Sequence, residues 1–560
     1  MAVGSIGTTV RAAVAWRPEK RVTGAFLITG LIALLVGALL GPFQAMNYGD
    51  VNLYRYLPFL KSYYQGLTLH GVLNALVFTT FFNCGVLIYF PARELETRPS
   101  IAWLWASYGV MVFGLVLSGI AIWSNSSTVM YTFYPPLQGS WGFYTGLALV
   151  VVGSLMVAFE VVRLRARWRR DNPGKVTPIV TFMSTATMLM WVLASLGIVV
   201  EVVVFLIPWS AGWISGVDPQ LARTLFWFTG HPIVYFWLLP AYVSWYAFIP
   251  KQVGGELSSD TLARMAFVMF MVFSTPVGFH HQFTDPGIPG GWKLVQNILT
   301  FFVVIPSLLT AFTVTSSMEL GARRKGGRGV LRWIGKLPWG DASFTAQALA
   351  MLSFIFGGAG GIVLASFNLN VLVHNTAFIP GHFHITVGTA VTLTFFGMTF
   401  WLIPHLTGKR LFSPRLALWS AWTWFVGMML FAVGMHWQGL LGVPRRAWIS
   451  NMLPSLQGTY ASAAVPQAIT MVSGMILFLA VIFYFTVLFG TLFSSRRIEE
   501  DSVAIPFPEY GGVHQDRATR ALDRLGLWFA VAAAVVCVAY LPTLLHMLTN
   551  QVGLPGLRLW

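Results

Sequence analysis

Two histidines stand two residues apart in Pro380-Gly381-His382-Phe383-His384, inside a long apolar run. On an α-helix that spacing turns their side chains about 200° apart, to opposite sides. One helix can then present an imidazole to each of two different groups. Those groups could be two cofactors, or the rings could simply satisfy polar atoms on neighbouring helices. The other histidines decide between these readings.

The chain has eleven histidines. His70 falls near the start of the second apolar segment and His231 in the sixth. His280 and His281 end the seventh, and His382 and His384 open the tenth. If these segments cross a membrane in alternating directions, all six imidazoles lie in its outer third. Ionisable groups at membrane depth are costly and usually face a functional interior. Hydrogen bonding between helices explains one or two of them; six from four helices in one layer read as metal ligation. His405, His514 and His546 fall at helix ends or in loops and read as ordinary polar residues, while His436 is assigned to neither group.

Local spacing sharpens the chemistry. Gly230-His231-Pro232-Ile233-Val234-Tyr235 places a tyrosine one turn below a histidine on the same face. In Phe279-His280-His281-Gln282 two adjacent imidazoles reach one ion only if the helix end frays or distorts, because neighbours do not share a helical face. His231, His280 and His281 then make a three-nitrogen site suited to copper or zinc. Imidazole is also a common axial ligand of haem iron. His382 would hold one haem from one side, leaving its other face open toward that metal. His70 and His384 would clamp a second haem from both sides, as in an electron-transfer centre.

The elements that must position these residues are membrane helices. The chain of 560 residues is 56% hydrophobic and 10% charged, which excludes an ordinary soluble globular protein. Thirteen apolar segments are long enough to cross a bilayer, at about 22–46, 66–90, 101–124, 142–163, 178–209, 221–249, 261–284, 293–318, 343–371, 378–405, 416–440, 466–494 and 524–548. The fold class expected is an all-α polytopic membrane protein. The whole chain, 1–560, reads as one domain: a twelve-helix core at about 22–495 plus an additional C-terminal helix. No internal repeat suggests an inverted-repeat transporter. Arg11, Arg17, Lys20 and Arg21 precede the first segment without a convincing cleavage site, so that segment reads as an uncleaved helix. Cys84 and Cys537 support neither a disulfide framework nor a thiolate metal site.

The formal charge of +16 is a topology signal. Basic residues crowd the loops after even-numbered helices, as in Arg163 to Lys175 and Arg323 to Lys336, and are sparse in the others. The N-terminus is therefore expected inside and the C-terminus outside, with no nucleic-acid partner needed. Two further polar stripes run inward from the histidine layer. His231, Tyr235, Tyr242 and Tyr246 fall within about 60° of arc on the sixth helix, and Ser307, Thr310, Thr313 and Ser317 share a broad face of the eighth. Hydroxyls both donate and accept hydrogen bonds, as a proton relay requires. Tyr242, Tyr246, Ser307 and Thr310 are read as that relay, whereas Thr313 and Ser317 are expected to bond backbone carbonyls or neighbouring helices.

With these residues in place, the chain resembles subunit I of the haem–copper oxidases, and in particular the B-family, ba3-type cytochrome c oxidases. The likeness covers nearly the whole chain. It is carried by Tyr63 through His70, Thr229 through Trp237, Ser274 through Gln282, Val373 through His384, and Val443-Pro444-Arg445-Arg446. The resemblance implies low-spin haem b on His70 and His384, a high-spin haem of a-type on His382, and one copper ion, copper B, on His231, His280 and His281. It implies a covalent link between Tyr235 and His231, with the tyrosine supplying a proton and an electron when dioxygen is cleaved. Trp227, Asn370, His374, Arg445 and Arg446 are expected around the cofactors, the arginines as forks for haem propionates.

Where the A-family carries a glutamate after His-Pro this chain has Ile233, so the A-family's D-type proton channel is absent and a single K-type path is expected. Nitric oxide reductases lack the tyrosine found here as Tyr235. No dinuclear copper motif is present, so a subunit II carrying that centre and fed by cytochrome c is the implied partner, with a small single-helix subunit and membrane lipid beside it. The activity implied is reduction of dioxygen to water coupled to proton pumping across a bacterial cytoplasmic membrane. A nitric oxide reductase on the same scaffold and a proton-coupled transporter are the rival readings. One departure stands out: Leu364 and Asn370 occupy positions near the outer end of the ninth helix where ba3-type relatives have an asparagine and an aspartate. An amide there cannot titrate.

Overall fold

The computed structural model describes residues 16–456, 458–498, 503–508 and 516–559; Arg11 and His514 lie outside them. Thirteen spans are long and apolar enough to cross a membrane: α1 (Arg17–Tyr48), α2 (Tyr63–Glu94), α3 (Ile101–Trp123), α4 (Trp141–Asp171), α5 (Ile179–Ser210), α6 (Pro219–Gln252), α7 (Asp260–Gln282), α8 (Gly290–Arg324), α9 (Ala342–Ala365), α10 (Phe378–Thr407), α11 (Pro414–Leu440), α12 (Ala461–Phe493) and α13 (Leu525–Thr549). No named strand occurs among the described residues. Burial sorts the spans. The apolar windows of α2, α6, α7 and α10 are 83, 83, 78 and 89% buried, against 28 to 50% for all the others. The four most enclosed helices are those that carry the six histidines.

Local chemistry sets several helix starts. The Ser62 side chain accepts from Gln65 N to open α2. Asp218, followed by Pro219 at the first helical position, accepts from the N–H groups of Gln220 and Leu221 at 2.8 and 2.9 Å to open α6. The first N–H groups of α5 are satisfied from outside the helix, where Glu94 at the end of α2 accepts from Val180 N at 3.1 Å and Thr181 N at 2.7 Å. Between α3 and α4 the backbones meet at Gly114 and Gly146. A Cβ on either would collide with the other's carbonyl oxygen.

Three departures from regular helix shape the interior. Pro240 inside α6 cannot donate to the Phe236 carbonyl one turn earlier; the buried Asn83 of α2 donates its Nδ2 there instead, at 2.8 Å. The α-helical part of α7 stops at Ser274, before Pro276, and resumes only as a single 3₁₀ turn, Phe279–Gln282. This supplies the distortion that adjacent imidazoles need in order to converge. Wider π-helical stretches occur at Val72–Phe78 in α2, Val200–Leu206 in α5 and Thr386–Val391 in α10. Two of the three begin two residues after a histidine, His70 and His384.

The expected ninth helix, 343–371, is shorter than the sequence suggested. It ends at Ala365, Ser366 turns extended at ψ 119°, and a separate short helix Phe367–Val373 carries Asn370. The fourth helix is longer than expected and continues to Asp171, so Arg163 to Arg170 sit on helix rather than loop. The buried Asp523, just before α13, ties that helix to the bundle by ion pairs to Arg165 at 3.2 Å, Arg169 at 3.6 Å and Arg264 at 3.9 Å.

Candidate metal centre

The spacing of His382 and His384 places both on the first two turns of α10, and every one of the six layered histidines lines a single cavity of about 670 Å³. That volume falls in the range of large ligand sites. Tyr235, Trp227, Ser307, Asn370, His374, Arg445 and Arg446 line it as well, while Tyr242, Tyr246 and Thr310 do not. Phe383, between the two α10 histidines, stacks toward Tyr131 and meets Trp237 edge-on.

On one side, the rings of His70 and His384 face each other with centroids 6.1 Å apart and planes 17° from parallel. Two metal–nitrogen bonds of about 2.0 Å plus two ring radii give about 6 Å, so one metal ion fits between them. Each ring is oriented from behind. His70 Nδ1 lies 2.8 Å from the Gly37 carbonyl and His384 Nδ1 2.7 Å from the Pro380 carbonyl. These bonds make Nδ1 the N–H donor and leave each Nε2 free to ligate.

On the other side, ligand nitrogens of His231, His280 and His281 lie within 4.8 Å of one another. The buried Nε2 atoms of His231 and His281 have no hydrogen-bond partner among the described residues; a bound cation is what such nitrogens fit. The two adjacent imidazoles converge because the 3₁₀ turn tightens the backbone, with ring centroids 4.1 Å apart. Trp227 stacks on His281 at 3.6 Å and 7°. Thr300 Oγ1 lies 3.3 Å from His280 Nδ1, and Asn370 Nδ2 donates to the His280 carbonyl at 3.0 Å and to the Leu364 carbonyl at 2.6 Å. The Tyr235 ring sits 4.7 Å from the His231 ring, centroid to centroid. His382 borders the same cavity, and its ring lies against Gly360 and Gly361, where a side chain at Gly360 would come within 3.1 Å of Nδ1.

At the loop end of the cavity the cations gather. Val443 to Arg445 are pinned to the chain before α10 by Ala377 N to Val443 O at 2.8 Å and Arg445 N to Asn375 O at 2.9 Å. Arg446 lies over the ring of Tyr131 at 5.1 Å and near Tyr134 at 5.6 Å. Burial and the neighbouring Arg446 lower Arg445 to about 10. Burial, with Arg445 and Arg223 nearby, pushes His374 down to about 4. Among the described residues no carboxylate pairs with Arg445 or Arg446, and Arg446 Nη2 is buried without an acceptor. Two crowded guanidiniums without an anion fit carboxylates supplied by a ligand. His374 Nδ1 is 3.1 Å from Asn370 Oδ1. Since the Asn370 amide nitrogen is committed to two carbonyls, its oxygen is the acceptor and His374 the donor.

The hydroxyl stripes continue inward from this cavity. Tyr242 is in hydrogen-bond reach of Ser307, which lines the cavity wall, and Tyr246 Oη donates to Thr310 Oγ1 at 2.8 Å. Thr313 and Ser317 donate to the backbone carbonyls of Leu309 and Thr313 at 2.7 Å each. Phe270 touches both Tyr235 and Tyr242, at 5.5 and 5.4 Å between centroids.

Residues 21–476 match the family model described as cytochrome C and quinol oxidase polypeptide I. The chain belongs to this oxidase family. It is 52% identical over 551 residues to cytochrome c oxidase subunit 1 of Thermus thermophilus, covering 97% of each chain. It is 26% identical over 445 residues to cytochrome c oxidase polypeptide 1 of Halobacterium salinarum, covering 74% of this chain and 70% of the relative. A cryo-EM structure of a haem–copper terminal oxidase dimer superposes with a TM-score of 0.92 at 34% identity, over 97% of this chain and 95% of that one. As a member of the oxidase family the protein is a multi-pass membrane protein and an oxidase subunit I, and haem and copper belong to its chemistry.

Residue roles that the sequence left open lie behind the histidines. Thr300 Oγ1 lies beside His280 Nδ1, the Gly37 carbonyl beside His70 Nδ1, and Gln296 Oε1 accepts from the N–H groups of Gly278 and Phe279, just before His280. An amide one turn before a hydroxyl was the available signal for Gln296 and Thr300, on a helix that carries several other polar residues; nothing in the sequence singles out Gly37.

Proposed function

We propose that this oxidase subunit I is the catalytic subunit of a B-family, ba3-type cytochrome c oxidase, reducing dioxygen to water and coupling the reaction to proton translocation. The observation that carries the reading is the pairing of a two-imidazole site and a three-imidazole site on one cavity, with Tyr235 beside His231. In this reading His70 and His384 hold low-spin haem b, His382 holds a high-spin a-type haem, and His231, His280 and His281 hold copper B. When bound, these groups supply the electrons and a place for dioxygen between two reductants.

The residues do the rest. Arg445 and Arg446 would hold haem propionates by charge-assisted hydrogen bonds. Trp227 fixes the orientation of the His281 ring by stacking on it, and Asn370 and His374 order the outer wall. Tyr235 offers a phenolic proton and an electron close to the three histidines. Tyr246, Thr310, Ser307 and Tyr242 pass protons toward it from the inner side, through ordered water where their hydroxyls do not touch. Ile233, in place of a carboxylate, leaves this as the route. Subunit II with a dinuclear copper centre, cytochrome c as donor and a small single-helix subunit complete the assembly. The excess of basic residues in loops after even-numbered helices places the N-terminus on the cytoplasmic side and the C-terminus outside.

A reduced-minus-oxidised spectrum of the purified complex, with metal analysis, tests the cofactors: two haem species and one copper on this subunit are expected, and absence of haem bands would overturn the reading. Oxygen uptake with reduced cytochrome c is expected to exceed nitric oxide uptake; the reverse ratio would make the protein a nitric oxide reductase.

A further inference from the structure

The two adjacent histidines of α7 depend on a backbone that has left its helix. After Ser274 the α-helical ladder ends, and Gly278 is extended at φ −169°. The N–H groups of Gly278 and Phe279 therefore lose their partners one turn back. They lie in the interior of a membrane protein, where an unpaired backbone donor is costly. One side chain meets both. Gln296 of α8, fully buried, accepts from Gly278 N at 2.9 Å and Phe279 N at 2.8 Å with its Oε1. Its Nε2 donates in the opposite direction, to the Ala539 carbonyl of α13 at 3.2 Å. A single amide thus ties the residues immediately before His280 to the last membrane helix.

A second contact runs from the same helix. The Tyr540 ring meets Phe279 edge-on at 5.0 Å and Phe228 at 4.7 Å. Its hydroxyl donates to the Trp227 carbonyl at 3.4 Å, and Trp227 is the residue stacked on His281. Gly278 is where these parts close in: a Cβ there would collide with Tyr540 Oη and the Trp227 carbonyl. Helix α13 therefore touches both the backbone that leads into the two histidines and the backbone of the residue whose ring stacks on one of them. The family match ends at residue 476, before α13 begins.

We propose that Gln296 is a positioning residue for the copper-binding histidines, and that α13 is the fixed point from which it acts. The thirteenth helix is then part of the metal site's support, not an addition to a self-sufficient twelve-helix core. The geometry of Gln296 explains its chemistry: only a group with one double acceptor and one donor closes this three-way link. The proposal rests on the reading of His231, His280 and His281 as a copper site.

The test is copper affinity, read by competition with a chelator on the purified holoenzyme, alongside optical spectra of both haems. Gln296→Leu removes all three hydrogen bonds while keeping bulk. Supporting partners of metal ligands typically account for about 10–100-fold in metal affinity or activity, and a loss of that size is expected with the His70–His384 haem spectrum unchanged. Gln296→Glu, whose protonated carboxyl offers the same acceptor and a donor, is expected to restore most of the affinity. Ala539→Leu, which wedges α13 away without touching the cavity, is expected to weaken copper in the same direction and serves if Gln296→Leu does not assemble. Wild-type copper affinity in a Gln296→Leu or Ala539→Leu holoenzyme overturns the proposal. A wild-type enzyme with no copper on this subunit overturns the copper-site reading itself.

Discussion

His70 and His384 face each other from different helices, ring centroids 6.1 Å apart and planes within 17° of parallel, each backed by a carbonyl on its far nitrogen. The separation matches two metal–nitrogen bonds and admits no third side chain between the rings. Removing either ring is expected to empty this site alone. His70→Ala or His384→Ala should abolish the six-coordinate low-spin haem signal while most copper is retained. His280→Ala or His281→Ala should do the converse, depleting copper and sparing that haem. A normal low-spin spectrum in His70→Ala, or full copper in both α7 variants, would break the assignment.

Tyr235 lies one turn below His231 with its ring 4.7 Å away, inside the cavity that the histidines share. Tyr235→Phe keeps the ring and removes the proton and the electron donor. Oxygen turnover is expected to fall to background with haem content preserved. Peptide mass analysis of the wild type should find the segments holding His231 and Tyr235 joined; separate, unmodified peptides would rule the cross-link out.

The hydroxyl path makes a graded claim. Tyr246 donates to Thr310, and Tyr242 reaches Ser307 on the cavity wall. Tyr242→Phe and Thr310→Val should slow steady-state oxygen reduction and proton uptake together, by about 10²-fold or more if the relay is the sole route, without changing optical spectra. Both Thr310 and Thr313 donate to backbone carbonyls, of Pro306 and Leu309, but only Thr310 of the two accepts from Tyr246 Oη at 2.8 Å, so Thr313→Val should have a much smaller effect. Wild-type proton uptake in Tyr242→Phe would require another entry.

Stability offers an independent check. Asn83 donates to the Phe236 carbonyl that Pro240 leaves without a helical partner. Asn83→Ala should lower stability by about 1 kcal/mol, seen as earlier thermal loss of haem absorbance. The double variant Asn83→Ala with Pro240→Ala should recover part of it, because an N–H returns to the orphaned carbonyl. Equal loss in single and double variants would mean that this hydrogen bond contributes nothing.

The histidine layer and the helix count were readable in the sequence because each rests on a strong local signal. Apolar length reports a membrane helix whatever its neighbours do, and the alternation of helices converts position in the chain into depth. All thirteen expected segments correspond to spans. The collapse of His280 and His281 onto one side was anticipated only as a need for distortion; Pro276 and Gly278 supply it. What stayed hidden was any feature whose cause lies on another helix. The break at Ser366, which puts Asn370 on its own short helix, looks like continuous apolar sequence. Gln296 looks like one of several polar residues on α8, beside Lys293, Asn297 and Thr300, until the two N–H groups it satisfies are located in space.

The π-helical stretches that begin just after His70 and His384 also constrain how this chain can change length. A π-turn carries one residue more than an α-turn, so the segments on either side of it are out of α-helical phase by one residue, about 100°. Closing the π-turn of Val72–Phe78 into α-helix with every residue kept would swing His70 by that angle, away from His384, whereas deleting one residue there lets α2 close to a regular helix with its flanks near their present phase. The same holds for Thr386–Val391 in α10. A single-residue deletion within either stretch should therefore leave its histidine facing the same way, while a deletion or insertion in the regular turns beside it should rotate that histidine by about 100°.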